Sequence, residues 1–242
     1  MSVYLITGAS SDVGTALIDR LYREGDVFIA QGAGDLSHLA PLCRKYPGAI
    51  KTYDVDLTDP AALELFVRDV AARYPTPTHL VHLPALRVVN TRFKNFDEDR
   101  FERDMSVQIR SAVKLCKTFL PAMAKARQGR VLFMLTSYLL GAPPNTAAYV
   151  MVKSTLQGLA KSLAADYASF GVTVNCVMPS MMETKFLADT SDLIVQASAE
   201  ANPMKRNARV EDVVPAMAFL LSEEAGFITG VTLPVTGGSA FL

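Results

Sequence analysis

Short apolar runs rich in β-branched residues alternate along the chain with longer amphipathic stretches, the pattern of repeated βαβ units around a parallel sheet. The runs predict strands at 3–7, 27–31, 49–55, 79–83, 131–135, 172–177 and 231–235. Between them, 14–24, 60–74, 101–125, 148–169 and 210–221 read as helices; in the fourth, Leu156, Leu159 and Leu163 recur at steps of three and four. About seven strands with helices on both faces make one doubly wound α/β sheet. No repeat, linker or shift in composition divides the chain, so 1–242 is read as a single domain. The stretch 181–209 breaks the alternation, and its Met, Phe and Leu beside polar residues predict a loop-and-helix lid over a pocket.

Composition narrows the partners. The 242 residues are 50% apolar and 20% charged with a formal net charge of zero, enough to bury a large core. No block of like charge marks a nucleic-acid or membrane-surface footprint, which leaves a small-molecule substrate. Cys43, Cys116 and Cys176 are scattered among apolar residues without a CxxC pair or a His/Cys cluster, so no metal is expected and the thiols read as buried ones in a reducing compartment. No apolar run reaches membrane-spanning length, and strand 3–7 begins without a basic-then-apolar leader; the expectation is a cytoplasmic protein.

Candidate chemistry starts at "VYLITGASSDVGTALIDRL", a strand, a Gly-rich turn and a helix. Gly8 and Gly14 permit a tight turn and close helix packing, and N–H groups over Ser10, Ser11, Asp12 and Val13 would hold a pyrophosphate, as in a Rossmann-like dinucleotide site. Asp12 stands where glycine favours close approach to phosphate, and its carboxylate is unfavourable there unless it reaches a ribose hydroxyl. After the second strand, Gly32 and Ala33 carry neither the acid that selects NAD nor a base for a 2′-phosphate; with no excluding carboxylate, NADP(H) is favoured slightly over NAD(H). Asp56, followed by Leu57, is placed to accept from the adenine amino group, while Thr58 or Asp59 caps the helix that follows.

In "AAYVMVKS", Tyr149 and Lys153 stand four apart and share a helix face. The string around them, "GRVLFMLTSYLLGAPPNTAAYVMVKSTLQGLAKSLAADYASFGVTVNCVMPSMMET", together with "TGASSDVG", "DLTDP" and "SEEAGFITGVTLPVTGG", resembles the short-chain dehydrogenase/reductase family over essentially the whole chain. The resemblance implies an NAD(P)-dependent oxidoreductase that interconverts a carbonyl and a secondary alcohol, akin to 3-oxoacyl-acyl-carrier-protein reductases. Tyr149 would be the acid/base. A free phenol titrates near ~10, and Lys153 would draw it toward the working range while holding the nicotinamide ribose. A hydroxyl that steadies the developing alkoxide falls at Thr136 by ungapped counting; Ser137 is preferred because serine is usual there, with Thr136 as the alternative. Strand alternation lets only one of them face the nicotinamide.

Elsewhere the pattern departs. "VHLPALR" stands where the family has "NNAG", which assigns His82, Leu83 and Pro84 to the coenzyme wall; as a residue, a lone histidine at a strand end is more often packed or capping. Gln108 stands at the catalytic asparagine. Pro179 and Ser180 replace "PG", and Met182 and Thr184 fall where the family meets the nicotinamide carboxamide. "QIR" and the lost "NNAG" are also similar to halohydrin dehalogenases, so a cofactor-independent lyase stands as an alternative, as does a catalytically retired nucleotide binder. Apolar residues around much of helices 101–125 and 154–169 predict a homodimer or homotetramer.

Overall fold

The computed structural model describes residues 1–240. Seven parallel strands form one sheet in the order β3-β2-β1-β4-β5-β6-β7. They are β1 (Val3–Thr7), β2 (Val27–Gly32), β3 (Ile50–Asp54), β4 (His79–His82), β5 (Gly129–Met134), β6 (Val172–Pro179) and β7 (Thr232–Val235). Every predicted strand is present, with ends shifted by a residue or two. Alternate residues of one strand feed opposite cores. In β1, Val3 and Leu5 join Leu80, Phe133 and Val174 on one face, while Tyr4 and Ile6 join Phe28, Val81 and Leu132 on the other.

The first core is covered by α3 (Pro60–Arg73), α5 (Ser111–Ala126) and α6 (Ala147–Tyr167), the second by α1 (Asp12–Leu21), α2 (Ala40–Lys45) and α8 (Val210–Leu221). Asp59 caps α3 by accepting from Ala61 N and Ala62 N, and Pro60 fits its first turn, where no N–H is missed. Segment 181–209 holds α7 (Asp192–Ala201) and otherwise turns; neither α2 nor α7 stands out in the sequence pattern.

The predicted helix 101–125 is three pieces: α4 (Glu98–Met105), a single π-turn over Ser106–Arg110, and α5. No glycine or proline marks the join. The extra residue in the π-turn rotates Gln108 inward to full burial, and such turns recur at functional sites.

The change of strand order between β1 and β4 opens a crevice at the strand C-termini, the usual ligand position in open α/β sheets. Two glycines set its width. Gly8 has φ +70°, and a Cβ there would lie 2.9 Å from Pro84 N. At Gly14 a Cβ would lie 2.6 Å from Ala9 O and 2.7 Å from Ala9 Cα, all backbone that cannot swing away. Gly14→Ala is therefore expected to destabilise by about 1–3 kcal/mol through overpacking, read as a lowered melting temperature by calorimetry.

Candidate active site

One cavity of about 750 Å³ follows the C-terminal ends of β1 to β6. Its first wall is the turn from β1 into α1. Ser11 caps α1, its Oγ accepting from Gly14 N at 3.1 Å and donating to Gly8 O at 2.8 Å. First-turn N–H groups such as those of Asp12 and Val13 have no intrahelical acceptor and suit an anion. Asp12 does not fill the crevice: its Oδ2 accepts from Lys185 N at 2.8 Å, tying segment 181–209 to the head of α1. That partner, 173 residues away, accounts for a carboxylate at the head of α1.

At the end of β2, Gln31 is a wall residue the sequence reasoning missed. Its Oε1 accepts from Gly8 N at 3.1 Å, and its Nε2 donates to Gly32 O and Val55 O at 3.0 and 2.7 Å. The one signal for it is a polar residue closing an apolar strand. Gly32 is packed so closely that a Cβ would lie 2.6 Å from Ser10 Oγ. Asp54 accepts from Gly34 N at 2.8 Å, and Asp56 accepts from Thr58 N and Thr58 Oγ1, both at 2.8 Å. Lys185 Nζ reaches across to His38 Nε2 at 2.9 Å.

The inner end is built on β5 and α6. Thr136 closes β5 in an extended conformation, φ −152° and ψ 144°, and lines the cavity; Ser137 opens the following short turn and does not. The structure thus brings Thr136, rather than the preferred Ser137, to the cavity wall with Tyr149: the pleat carries Thr136 inward. Lys153, 2% exposed, donates from Nζ to Met134 O at 2.9 Å and lies 5.8 Å from the Tyr149 ring centroid. Burial pulls Lys153 down to about 8, against the attraction of Asp104 and Cys176. Burial also pushes the Tyr149 phenol well above 10; the neighbouring Thr136 hydroxyl opposes this, while Tyr138 and Asp104 add to it. The expected lowering of the phenol by Lys153 is not what this pocket produces, because dehydration dominates and the ammonium sits over the ring face.

Two assigned residues stand behind the wall rather than on it. His82, 1% exposed, places Nε2 2.9 Å from Gln108 O and Nδ1 2.7 Å from Thr7 Oγ1. A carbonyl only accepts, so Nε2 carries the hydrogen and Thr7 donates to Nδ1. Burial holds this imidazole neutral, at about 3. Assigning it to the coenzyme wall was incorrect; it is a packed residue that joins β1, β4 and the π-turn. Gln108 donates from Nε2 to Asp104 Oδ1 at 2.6 Å, its Oε1 has no partner, and its side chain does not reach the cavity. Asp104, buried one helical turn earlier, escaped the sequence reasoning because it closes the charged stretch 97–104, whose other charges conceal it.

The remaining assigned positions, Gly8, Ser10, Val13, Leu57, Leu83, Pro84, Pro179, Ser180, Met182 and Thr184, lie on the cavity wall; Gly14 acts through packing. A nicotinamide dinucleotide fits this lining. The head of α1 suits a pyrophosphate, and Ser180 Oγ, buried without a partner, is free to bond a carboxamide at the inner end.

The family described as enoyl-(acyl carrier protein) reductase matches residues 8–240. The 3-oxoacyl-acyl-carrier-protein reductase of Escherichia coli (strain K12) is 32% identical over 239 residues, 98% of this chain and 96% of that protein. Acetoacetyl-CoA reductase of Allochromatium vinosum is 26% identical over 242 residues, covering 98% and 97%. Among solved structures, a protein described as an NAD(P)-dependent gluconate 5-dehydrogenase from Beutenbergia cavernae, with NADP bound at low occupancy, superposes with a TM-score of 0.90 at 26% identity. The match covers 98% of this chain and 96% of that one. A structure described as a short-chain dehydrogenase/reductase family protein matches with a TM-score of 0.86 at 26% identity and the same coverage. Similarity that runs the whole length of the chain, to curated reductases and solved relatives alike, makes this protein a member of the short-chain dehydrogenase/reductase family.

Proposed function

We propose that the protein is an NAD(P)-dependent oxidoreductase that interconverts a carbonyl and a secondary alcohol, with Tyr149, Lys153 and Thr136 as its working residues. The observation that carries this reading is the junction of Thr136, Tyr149 and Lys153 at the inner end of a cavity whose other end has a dinucleotide-type turn. When bound, the nicotinamide supplies or accepts the hydride at the substrate carbon. Tyr149 Oη gives its proton to the carbonyl oxygen, or takes one from the alcohol in reverse. Burial keeps the phenol protonated at neutral pH, the form that reduction requires. Thr136 Oγ1 steadies the charge that builds on the same oxygen, and Lys153 Nζ, fixed by Met134 O, brings a positive charge beside the ring and a donor for the ribose. Gln108 acts only from behind, by shaping the π-turn. The cofactor-independent lyase and the retired binder gain nothing from this geometry, because the nucleotide half of the cavity is open and the tyrosine–lysine pair is intact.

NADP(H) is read over NAD(H). Gly32 and Ala33 themselves carry no carboxylate, Asp54 beside them is taken up by Gly34 N, and Lys185, braced by His38, offers a cation for a 2′-phosphate. Titration of the protein with NADPH and NADH should show tighter binding of NADPH, and Lys185→Ala should remove most of that difference while leaving NADH binding nearly as it was. Equal affinities in the unaltered protein would refute the preference. Exposed Val113, Met151 and Phe170 on and beside α5 and α6 favour a homodimer or homotetramer, to be read by sedimentation. The cysteines, all free, fit a cytoplasmic setting.

A further inference from the structure

The two halves of the cavity carry opposite charge. Toward β1, β2 and β3 the wall is acidic, with Asp12, Asp35, Asp54 and Asp56 against the single lysine at 185. Beyond Lys153, toward β4, α4 and segment 181–209, no carboxylate lines it, and its charged side chains are Arg87 and Arg103. Both are exposed at the mouth. The wall near them is apolar, formed by residues such as Leu86, Val88, Val107 and Phe186.

The two arginines differ in what already holds them. Arg87 Nη1 is 2.6 Å from Asp189 Oδ2, which fastens the loop after β4 to segment 181–209, and Arg100 Nη2 donates to Arg87 O at 2.6 Å. Arg103 projects from α4 one helical turn before Val107 and makes no ion pair among the described residues. Its sequence neighbours do not neutralise it: Glu102 is bound by Arg110 at 2.8 Å, and Asp104 turns inward to Gln108. A free guanidinium at the rim of an apolar wall suits bidentate capture of a carboxylate or phosphate, with the rest of the ligand lying along the wall.

We propose that Arg103 is the docking residue for an anionic group on the substrate, so that the substrate is an oxo compound with an apolar segment between its carbonyl, at Tyr149, and a terminal carboxylate or phosphate, at Arg103. The proposal rests on the oxidoreductase reading for the carbonyl and on Arg103 alone for the anion. The Arg87–Asp189 pair ties the loop after β4 to segment 181–209 beside the mouth and contributes less to affinity, since its charge is already matched.

The test uses short- and medium-chain methyl ketones that end in a carboxylate, a methyl ester or a phosphate monoester, assayed with NADPH and NADH on the wild-type protein, Arg103→Gln and Arg103→Lys. Calorimetric binding of the same compounds to the protein, with and without NADP, accompanies the assay. The anionic ketones should have higher kcat/KM than their esters in the wild type. That advantage should fall roughly 10- to 100-fold in Arg103→Gln, chiefly through KM, and return in part with lysine; about 0.5 M salt should reduce it. The carboxylate and phosphate series identify the anion. Equal treatment of acid and ester, an anion preference that survives Arg103→Gln, or absence of calorimetric binding of every anion to the wild type overturns the proposal. Failure of the oxidoreductase reading shows separately, as absence of coenzyme binding or of turnover with all carbonyls, and calorimetry of wild type against Arg103→Gln still reads the anion site in that case.

Discussion

Tyr149→Phe is expected to lower turnover by about 10³-fold while leaving coenzyme affinity within a few-fold of wild type, because general acid–base catalysis by one positioned group is worth about that much. The substitution removes a single hydroxyl. The ring keeps its edge-to-face contact with Tyr138, at a centroid distance of 6.1 Å and an interplanar angle of 86°, and its place under the Lys153 ammonium. Only the phenolic proton donor is lost. Stability should change by no more than about 1 kcal/mol, the scale of a single buried polar group. The decisive measurement pairs the rate of NADPH oxidation with NADPH titration of the same preparation. A variant that turns over at the wild-type rate removes Tyr149 from the chemistry, and one that no longer binds coenzyme makes it a coenzyme-holding residue instead. Thr136→Val belongs to the same logic with a smaller effect, whereas Ser137→Ala, at a side chain off the cavity wall, bears directly on which hydroxyl acts.

The parts of this molecule that follow from local periodicity were open to sequence reasoning, and those that depend on distant partners were not. β1, β2, β4, β5 and β6 show as apolar runs because inner parallel strands are buried on both faces, while the edge strands β3 and β7 are only partly covered; Tyr149 and Lys153 show as a pair because one helix turn separates them. Ungapped counting pointed to Thr136 and the usual serine to Ser137, and the sequence could not weigh the two, since the choice depends on where β5 stops pleating and the chain turns. Nothing near Gln108 signals a π-turn, and its inward rotation becomes visible only with His82 and Asp104 packed around it. Asp12 read as an obstacle because its partner, Lys185, lies at the far end of the chain. His82 was misplaced for the same reason: a strand-end histidine has the same sequence signature whether it faces a ligand or, as here, Thr7 and a backbone carbonyl.

Lys153→Met separates what the site needs from what the fold needs. Lys153 is buried with one hydrogen-bond partner, Met134 O, and burial moves it from 10.5 to about 8. That difference corresponds to about 3 kcal/mol. For a base whose folded-state value lies below its unfolded one, the unfolded chain binds more protons between about 8 and 10.5, so the folded state gains stability as pH rises through that window. Below about 8 the native protein carries the full cost of a dehydrated ammonium. Methionine, of similar length and without charge, should therefore raise the melting temperature of the coenzyme-free protein at pH 7 by roughly 5–10 °C, at ~2–4 °C per kcal/mol for a chain of this size. The gain should shrink toward pH 10. Cys116 and Cys176 are both held up at about 12 by burial, and loss of Lys153 only pushes Cys176 higher, so both thiols stay protonated in the folded proteins up to pH 10 and the difference between the two reports chiefly the lysine. Activity should move the other way, falling at least ~10²-fold with weakened coenzyme binding, since the ribose donor and the charge beside Tyr149 are both gone. Melting curves from pH 6 to 10 beside coenzyme titrations check both halves. A variant less stable than wild type at pH 7 would mean that Asp104 and Met134 O already offset the burial of this charge, and an active one would remove Lys153 from the working set.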